Sequence, residues 1–241
     1  MLKLDQLCVR RGKSIILQDI SFLLRAGKTL AIVGESGAGK STLIAAILGL
    51  VKPLRGEITW QDRSVRSSGP ALVMQEPRSA FNPALSLRQS VMEPFLATNS
   101  KVAINRMDRL CHGLELTEEI LDRRPGEVSI GQAQRAGILR ALIAAPPLVL
   151  FDEPLSALDA VTQKHTAKLI ADLQHEEGFA ALIATHDLGY AVAYGDEIAV
   201  LKSGRIEEIA EPQIFAQSPK SDYARSLKDA AIALGALEAP A

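Results

Sequence analysis

The sequence predicts an α/β fold: a mostly parallel sheet with flanking helices, an antiparallel β subdomain beside it, and an α-helical subdomain inserted into the core. Three observations predict it. The apolar run Leu30-Ala31-Ile32-Val33 reads as a buried strand and leads through Gly34-Glu35-Ser36-Gly37-Ala38-Gly39-Lys40-Ser41-Thr42 into the helical run Leu43 to Leu48. Strand, G-x-x-x-x-G-K-S and helix in that order are a phosphate-binding loop in its expected context, so the core is that of a P-loop NTPase. The early strands fall at hairpin-like spacing. Between residues 76 and 145 the pattern changes to helical spacing.

Each element follows in turn. Leu2 to Val9 alternates apolar and polar residues as a half-buried strand does. Arg10-Arg11-Gly12-Lys13-Ser14 is a polar turn, and Ile15 to Leu24 is a second strand. Ala26-Gly27-Lys28 turns into the strand of the phosphate loop. Pro53 and Gly56 mark a loop before the short strand Glu57 to Trp60. Ala71-Leu72-Val73-Met74 is a short buried strand ending at Gln75. The insertion opens with Pro77-Arg78-Ser79-Ala80-Phe81-Asn82-Pro83, a loop with an exposed-looking aromatic. It continues with helical spacing in Met107-Leu110-Cys111-Leu114 and in Ala133-Ala136-Ile138-Leu139-Leu142. The core resumes at Leu148-Val149-Leu150-Phe151-Asp152-Glu153-Pro154. A helix from Val161 to Glu176, a buried strand Ala180 to Ala184, and a helix Leu188 to Tyr194 follow. Glu197 to Leu201 and Arg205 to Ile209 pair around Ser203-Gly204. The tail after Pro219 is Ala-rich and helical, fraying through Glu238-Ala239-Pro240-Ala241. The expected division is therefore a core of residues 1–75 and 146–218, a helical subdomain 76–145, and a helical tail 219–241.

Composition narrows the function classes. The 241 residues suit one domain with an insertion, or two small ones. Hydrophobic residues make up 47%, charged residues 23% and aromatics 4%, an ordinary globular balance. With a net charge of −1, bulk electrostatics do not point to nucleic acid. No uninterrupted apolar stretch reaches the ~18 residues of a membrane span, and the longest, Ala141 to Phe151, is broken by Pro146-Pro147. The N-terminus lacks the apolar core of a signal peptide. Cys8 and Cys111 form no pattern and read as reduced structural thiols of a cytosolic protein, in preference to a disulfide or metal pair.

The chemistry begins at the phosphate loop. Gly34, Gly37 and Gly39 carry no Cβ and let the backbone wrap a polyphosphate. The loop N–H groups and the positive helix end face the anion. Lys40 brings a point charge to the outer phosphates, and the Ser41 hydroxyl can ligate Mg²⁺. The second nucleotide-handling element is the apolar strand ending in Asp-Glu, where Asp152 is placed to hold Mg²⁺ through water, and Glu153 to orient and polarise a water at the γ-phosphate. A solvated acidic pair is the alternative for those two residues taken alone. His186 follows a buried strand, where a neutral imidazole can donate to a γ-phosphate oxygen or fix the glutamate and water; a purely structural histidine fits as well. Ser129 and Gln132 have capping-box spacing before a helix, which is either just a cap or a second anion-binding helix terminus.

With these pieces in place, the chain resembles the nucleotide-binding subunit of ABC transporters over essentially its full length. The matching motifs occur in the family's order: the phosphate loop 34–42, a Q-loop at Gln75, a signature at 128–132, the acidic pair 152–153, a D-loop Ser156-Ala157-Leu158-Asp159, and a switch His186. The resemblance implies ATP and Mg²⁺ as ligands. It implies a dimer that sandwiches two ATP molecules, each phosphate loop facing the other subunit's signature, here Ser129, Gly131 and Gln132. Gln75 would sense Mg²⁺ and water, Asp159 would communicate across the dimer, and the helical insertion would dock a coupling helix of a membrane subunit. Met74 to Pro83 and Tyr223-Ala224-Arg225-Ser226-Leu227 resemble the peptide/nickel importer branch. The lack of a terminal cysteine cluster tilts the reading towards the nickel type.

Three departures stand out. Ile130 replaces the first glycine of the usual L-S-G-G-Q signature. A left-handed backbone there would strain it by about 1–2 kcal/mol, and a lost transition-state contact would cost up to roughly 2.7–4 kcal/mol. That defect would weaken the partner's ATP site. The aromatic that usually stacks on adenine is missing, and its position falls near Arg11, which either stacks on the base or is a solvated loop arginine. No C-terminal regulatory domain is seen.

These readings imply an ATP-hydrolysing importer subunit for nickel, metal chelates or short peptides. It would sit peripherally on the cytoplasmic face of the membrane, with a related second ATPase subunit, two permease subunits and an extracytoplasmic solute-binding protein. The alternative is the ATPase of a soluble enzyme assembly of the same branch, of the carbon–phosphorus lyase type.

Overall fold

The computed structural model describes residues 1–98 and 104–237. β1 (Leu2–Arg11) and β2 (Ser14–Leu24) form an antiparallel hairpin, and β4 (Arg55–Trp60) pairs with the other edge of β1. Arg10 and Arg11, expected in a turn, extend β1 and pair with Ile15 and Ser14, so the turn shrinks to Gly12-Lys13. Its tightness is set by Gly12, whose φ of 58° is the left-handed conformation glycine adopts freely.

The core sheet has six strands in the order β5-β6-β7-β3-β8-β9. Its members are β3 (Thr29–Val33), β5 (Ala71–Val73), β6 (Leu148–Asp152), β7 (Ala180–Thr185), β8 (Glu197–Lys202) and β9 (Arg205–Ala210). All neighbours are parallel except the β8–β9 hairpin. Strands β3, β6 and β7 read as continuous apolar runs because both faces are covered. Alternate residues serve different cores. Leu148 and Leu150 of β6 pack towards α1 (Lys40–Ile47) and the antiparallel sheet, while Val149 and Phe151 face the helical insertion.

That insertion contains α2 (Leu87–Thr98), α3 (Ile104–Gly113), α4 (Glu118–Asp122) and α5 (Ile130–Leu142). The periodic residues Met107, Leu110, Cys111 and Leu114 lie in one core with Ala133, Ala136, Ile138, Leu139 and Leu142. Phe81 departs from expectation. It is 5% exposed, beneath the Arg140 guanidinium, whose carbon lies 4.9 Å from the ring centroid. Sequence neighbours of polar and turn type concealed a cover supplied from α5.

Beyond the insertion, α6 (Ala160–Glu177) and α7 (Leu188–Tyr194) flank β7, and α8 (Pro212–Gln217) and α9 (Asp222–Ala233) close the chain. A third core joins Ala31 and Val33 of β3 to α7, Phe215 and α9. Both cysteines are free. Among the described residues no helix is long and apolar enough to cross a membrane. The expected fraying of 238–241 lies outside the described residues.

Candidate functional site

The phosphate loop leaves the C-terminal end of β3. Gly34 is required by packing as much as by any ligand: a Cβ there would stand 2.1 Å from the Leu201 carbonyl oxygen of β8. Gly39 caps α1 with φ 111°, and its Cβ would meet Leu17 at 2.8 Å. No side chain caps α1, and its first turn holds no acidic residue, so its N–H groups face the cleft without an internal anion. Lys40 is buried and folds back, donating from Nζ to the Gly34 carbonyl at 2.7 Å and the Glu35 carbonyl at 3.3 Å.

Three neighbouring parallel strands bring the remaining groups to the same edge. Asp152 at the end of β6 pairs with Ala184 of β7, and Thr185 pairs with Val33 of β3. Glu153 follows with its N–H donating to the Ala184 carbonyl at 2.9 Å, and its φ of 48° is left-handed, a conformation uncommon outside glycine. Its carboxylate is buried, 3.8 Å from Lys40 Nζ and 2.8 Å from His186 Nδ1. With Glu153 ionised, its carboxylate only accepts and Nδ1 is the donor of this bond. A neutral His186 then has no N–H left for a phosphate oxygen, and the imidazole is spent on holding Glu153. The His186 side chain is otherwise 70% exposed, with its far edge towards the open cleft.

A cleft of about 610 Å³ is lined by Arg11, Ser36, Gly37, Gly39, Lys40, Ser41, Thr42, Gln75, Asp152, Glu153 and His186, together with Ile16. Gly34, Glu35 and Ala38 shape the loop without lining it. Burial raises the Asp152 carboxyl above its ordinary value, against the effect of the Ser41 hydroxyl beside it. Asp152 Oδ1 is buried with no hydrogen-bond partner among the described residues. An orphaned hard oxygen beside a hydroxyl is the donor set a divalent cation such as Mg²⁺ takes, so the residues present fit that ion.

Ser129, Gly131, Gln132 and Asp159 lie outside this cleft. Ser129 and Gln132 form a reciprocal capping box at the start of α5. Asp159 caps α6, accepting from the Val161 and Thr162 N–H groups, and these bonds hold its carboxyl below the ordinary range. A Cβ on Gly131 would touch the side chain of Leu158 at 3.3 Å, so the signature rests on the D-loop of its own chain. Ile130 is the first residue of a right-handed helix and has no positive φ. The backbone strain foreseen for it is absent, and its side chain stands 53% exposed at the helix tip.

Two residues near the site carried no readable signal. Ile16 looked like one more strand residue, and only the approach of β2 to Gly39 puts it in the cleft. Tyr223, 188 positions from Glu35 in sequence, accepts the Glu35 N–H at 3.3 Å.

Comparison with known proteins identifies the family. The ABC transporter family model matches residues 17–156. The chain is 33% identical over 231 residues to the nickel import ATP-binding protein NikE of Escherichia coli O157:H7, covering 89% of this chain and 85% of that one. It is 34% identical to the nickel import ATP-binding protein NikD of Brucella abortus, covering 93% and 90%. It is 32% identical to the oligopeptide transport ATP-binding protein OppF of Haemophilus influenzae, covering 89% and 69%. Among solved structures, the dimeric post-hydrolysis ATP-binding cassette MJ0796 bound to ADP and Pi superposes with a TM-score of 0.78 at 29% identity, covering 88% of this chain and 99% of that one. A phosphate loop, an acidic strand end and a histidine held to the glutamate, on a chain matched across both sheets and the insertion, make this protein a member of the ABC transporter family, one of its ATP-binding, ATP-hydrolysing cassettes.

Proposed function

We propose that this cassette energises an importer of nickel, metal chelates or short peptides. The reading of cargo is supported by its nickel-import and oligopeptide-transport relatives, which favour transport over a soluble enzyme assembly. It would work peripherally at the cytoplasmic membrane face, paired with a related subunit and two permease subunits, with a solute-binding protein delivering cargo. The helical stretch 76–145 is the proposed docking subdomain on the core of 1–75 and 146–218, and 219–241 the proposed helical tail.

The contact of Glu153 with His186 carries the catalytic part. Loop N–H groups of Ser36 to Thr42 and the Lys40 ammonium bind the outer phosphates of ATP. Ser41 and Asp152, with Gln75 at the rim, would hold Mg²⁺, which when bound neutralises charge developing on the phosphates. Glu153 accepts the proton of the attacking water, with His186 fixing the carboxylate and Lys40 Nζ 3.8 Å away. Arg11 and Ile16 flank the place for the base. The other half of the site comes from a partner's counterpart of Ser129, Gly131 and Gln132, with Asp159 linking the two.

The test is Glu153→Gln. ATP binding is expected to persist while hydrolysis falls on the order of 10²–10⁴-fold, the usual contribution of a positioned base. Near-normal turnover in this variant would refute the assignment.

A further inference from the structure

The tail touches elements that carry nucleotide-site residues at two places that the proposed chemistry does not use. Its start is fixed by the buried Glu208 carboxylate of β9, which accepts the N–H groups of Lys220 at 2.9 and 3.0 Å and of Ser221 at 2.8 Å. Ser221 then caps the helix through the Ala224 N–H. One residue into α9, Tyr223 is buried, its ring under the Lys202 ammonium at 4.5 Å and its apolar face in the core that contains Val33. Its hydroxyl oxygen takes the N–H of Glu35, the second residue of the phosphate loop. Burial raises the phenol above its ordinary value, so it keeps its proton while accepting. Past the far end of α9, the Ala236 carbonyl lies 2.6 Å from where a Cβ on Gly189 would stand, on α7 just after His186.

Residues 33–35 are thus held from three sides: β3 leads in, the Leu201 carbonyl of β8 backs Gly34, and Tyr223 takes the Glu35 N–H. Glu35 does not line the cleft, so this bond uses an N–H that is not among the cleft-lining residues. A loop that must present several N–H groups to one anion binds best when its order exists before the ligand arrives. We infer that Tyr223 is a positioning residue that pre-orders the phosphate loop through the Glu35 N–H, with α9 as the brace that holds it. This rests on the assignment of residues 34–42 as the ATP-binding loop.

Titration of the full-length chain with MgATP, alongside steady-state kinetics and thermal unfolding, tests it. Tyr223→Phe keeps the ring and removes the hydroxyl. The expected result is a rise of about threefold to tenfold in Kd and KM for ATP, the range for losing one hydrogen bond, with kcat within twofold of the parent and an unfolding midpoint lowered by no more than about 2–4 °C. Tyr223→Ala is expected to add a loss of thermal stability that Tyr223→Phe restores without restoring affinity. Unchanged Kd in Tyr223→Phe would overturn the inference, as would a lowered midpoint with no change in affinity, or a fall in kcat at constant KM. Lys40→Ala separates the two readings. If it binds ATP as the parent does, the loop assignment fails and the inference with it. If it loses ATP while Tyr223→Phe binds normally, only the role of Tyr223 is overturned.

Discussion

Asp152 shows how much one buried carboxyl decides. Burial raises its proton affinity in the native chain, so between its ordinary value and the raised native value the folded state binds the extra proton. Stability of the nucleotide-free chain therefore falls as pH rises through that window, and stays lower above it. Asp152→Asn removes the buried charge. Its unfolding midpoint at neutral pH without nucleotide is expected to equal or exceed the parent's, while most of the midpoint rise given by MgATP is lost. Thermal scans with and without MgATP read both, and a markedly lower nucleotide-free midpoint would contradict the account. The identities of Asp152, Glu153, Lys40 and Ser41 were legible because their motifs are local. For His186 the sequence left two partners open, a phosphate oxygen or the glutamate, and the choice depends on a carboxylate 33 positions away. The backbone at Ile130 was not legible: a glycine's usual place suggested a left-handed residue, and the helix simply begins there.

At the level of elements, the turn 77–81 and helix α5 are tied by side chains that reach across the insertion. Arg140 donates to the Ala80 carbonyl and covers Phe81, Arg78 donates to the Val128 carbonyl at 2.6 Å, and the buried Gln134 amide reaches the Met74 carbonyl at 3.4 Å. Burial lowers the Arg140 proton affinity, which the charge of Glu93 partly offsets. Phe81→Ala is expected to destabilise the chain by about 3–5 kcal/mol through the cavity it leaves; denaturant unfolding measures this, and a loss near zero would mean that Phe81 is a surface residue after all. The capping box of Ser129 and Gln132 could be read directly, because both partners sit within one helical turn. The burial of Phe81 could not, because its cover lies in another helix. The strands β3, β6 and β7 declared themselves as apolar runs, but their order in the sheet follows from the crossovers, which no local pattern records.

The whole molecule carries a complete phosphate cradle, acid pair and histidine, and an altered signature. Paired with a related subunit, it would therefore form two unequal ATP sites, the weaker being the one its own Ile130 faces. Glu153→Gln is expected to silence the site built on this chain's loop, so in that background Ile130→Gly would report on the other. Turnover of the assembled complex is expected to rise severalfold on adding Ile130→Gly, and no change would count against a cost at that position. A fully active transporter with two copies of this chain would equally argue against the unequal pair. A further consequence follows from the pairing of β6, β7 and β3, whose ends stand side by side at about 4.8 Å spacing. Glu153, His186 and Gly34 each follow a strand whose partner residues are fixed. One residue added within any of these strands would reverse the face taken by every later side chain of that strand, whereas an exposed connection between elements has no such phase to keep. Change in length is thus barred from these three short strands, and drift in this chain should collect as insertions in exposed connections while those strands keep their count.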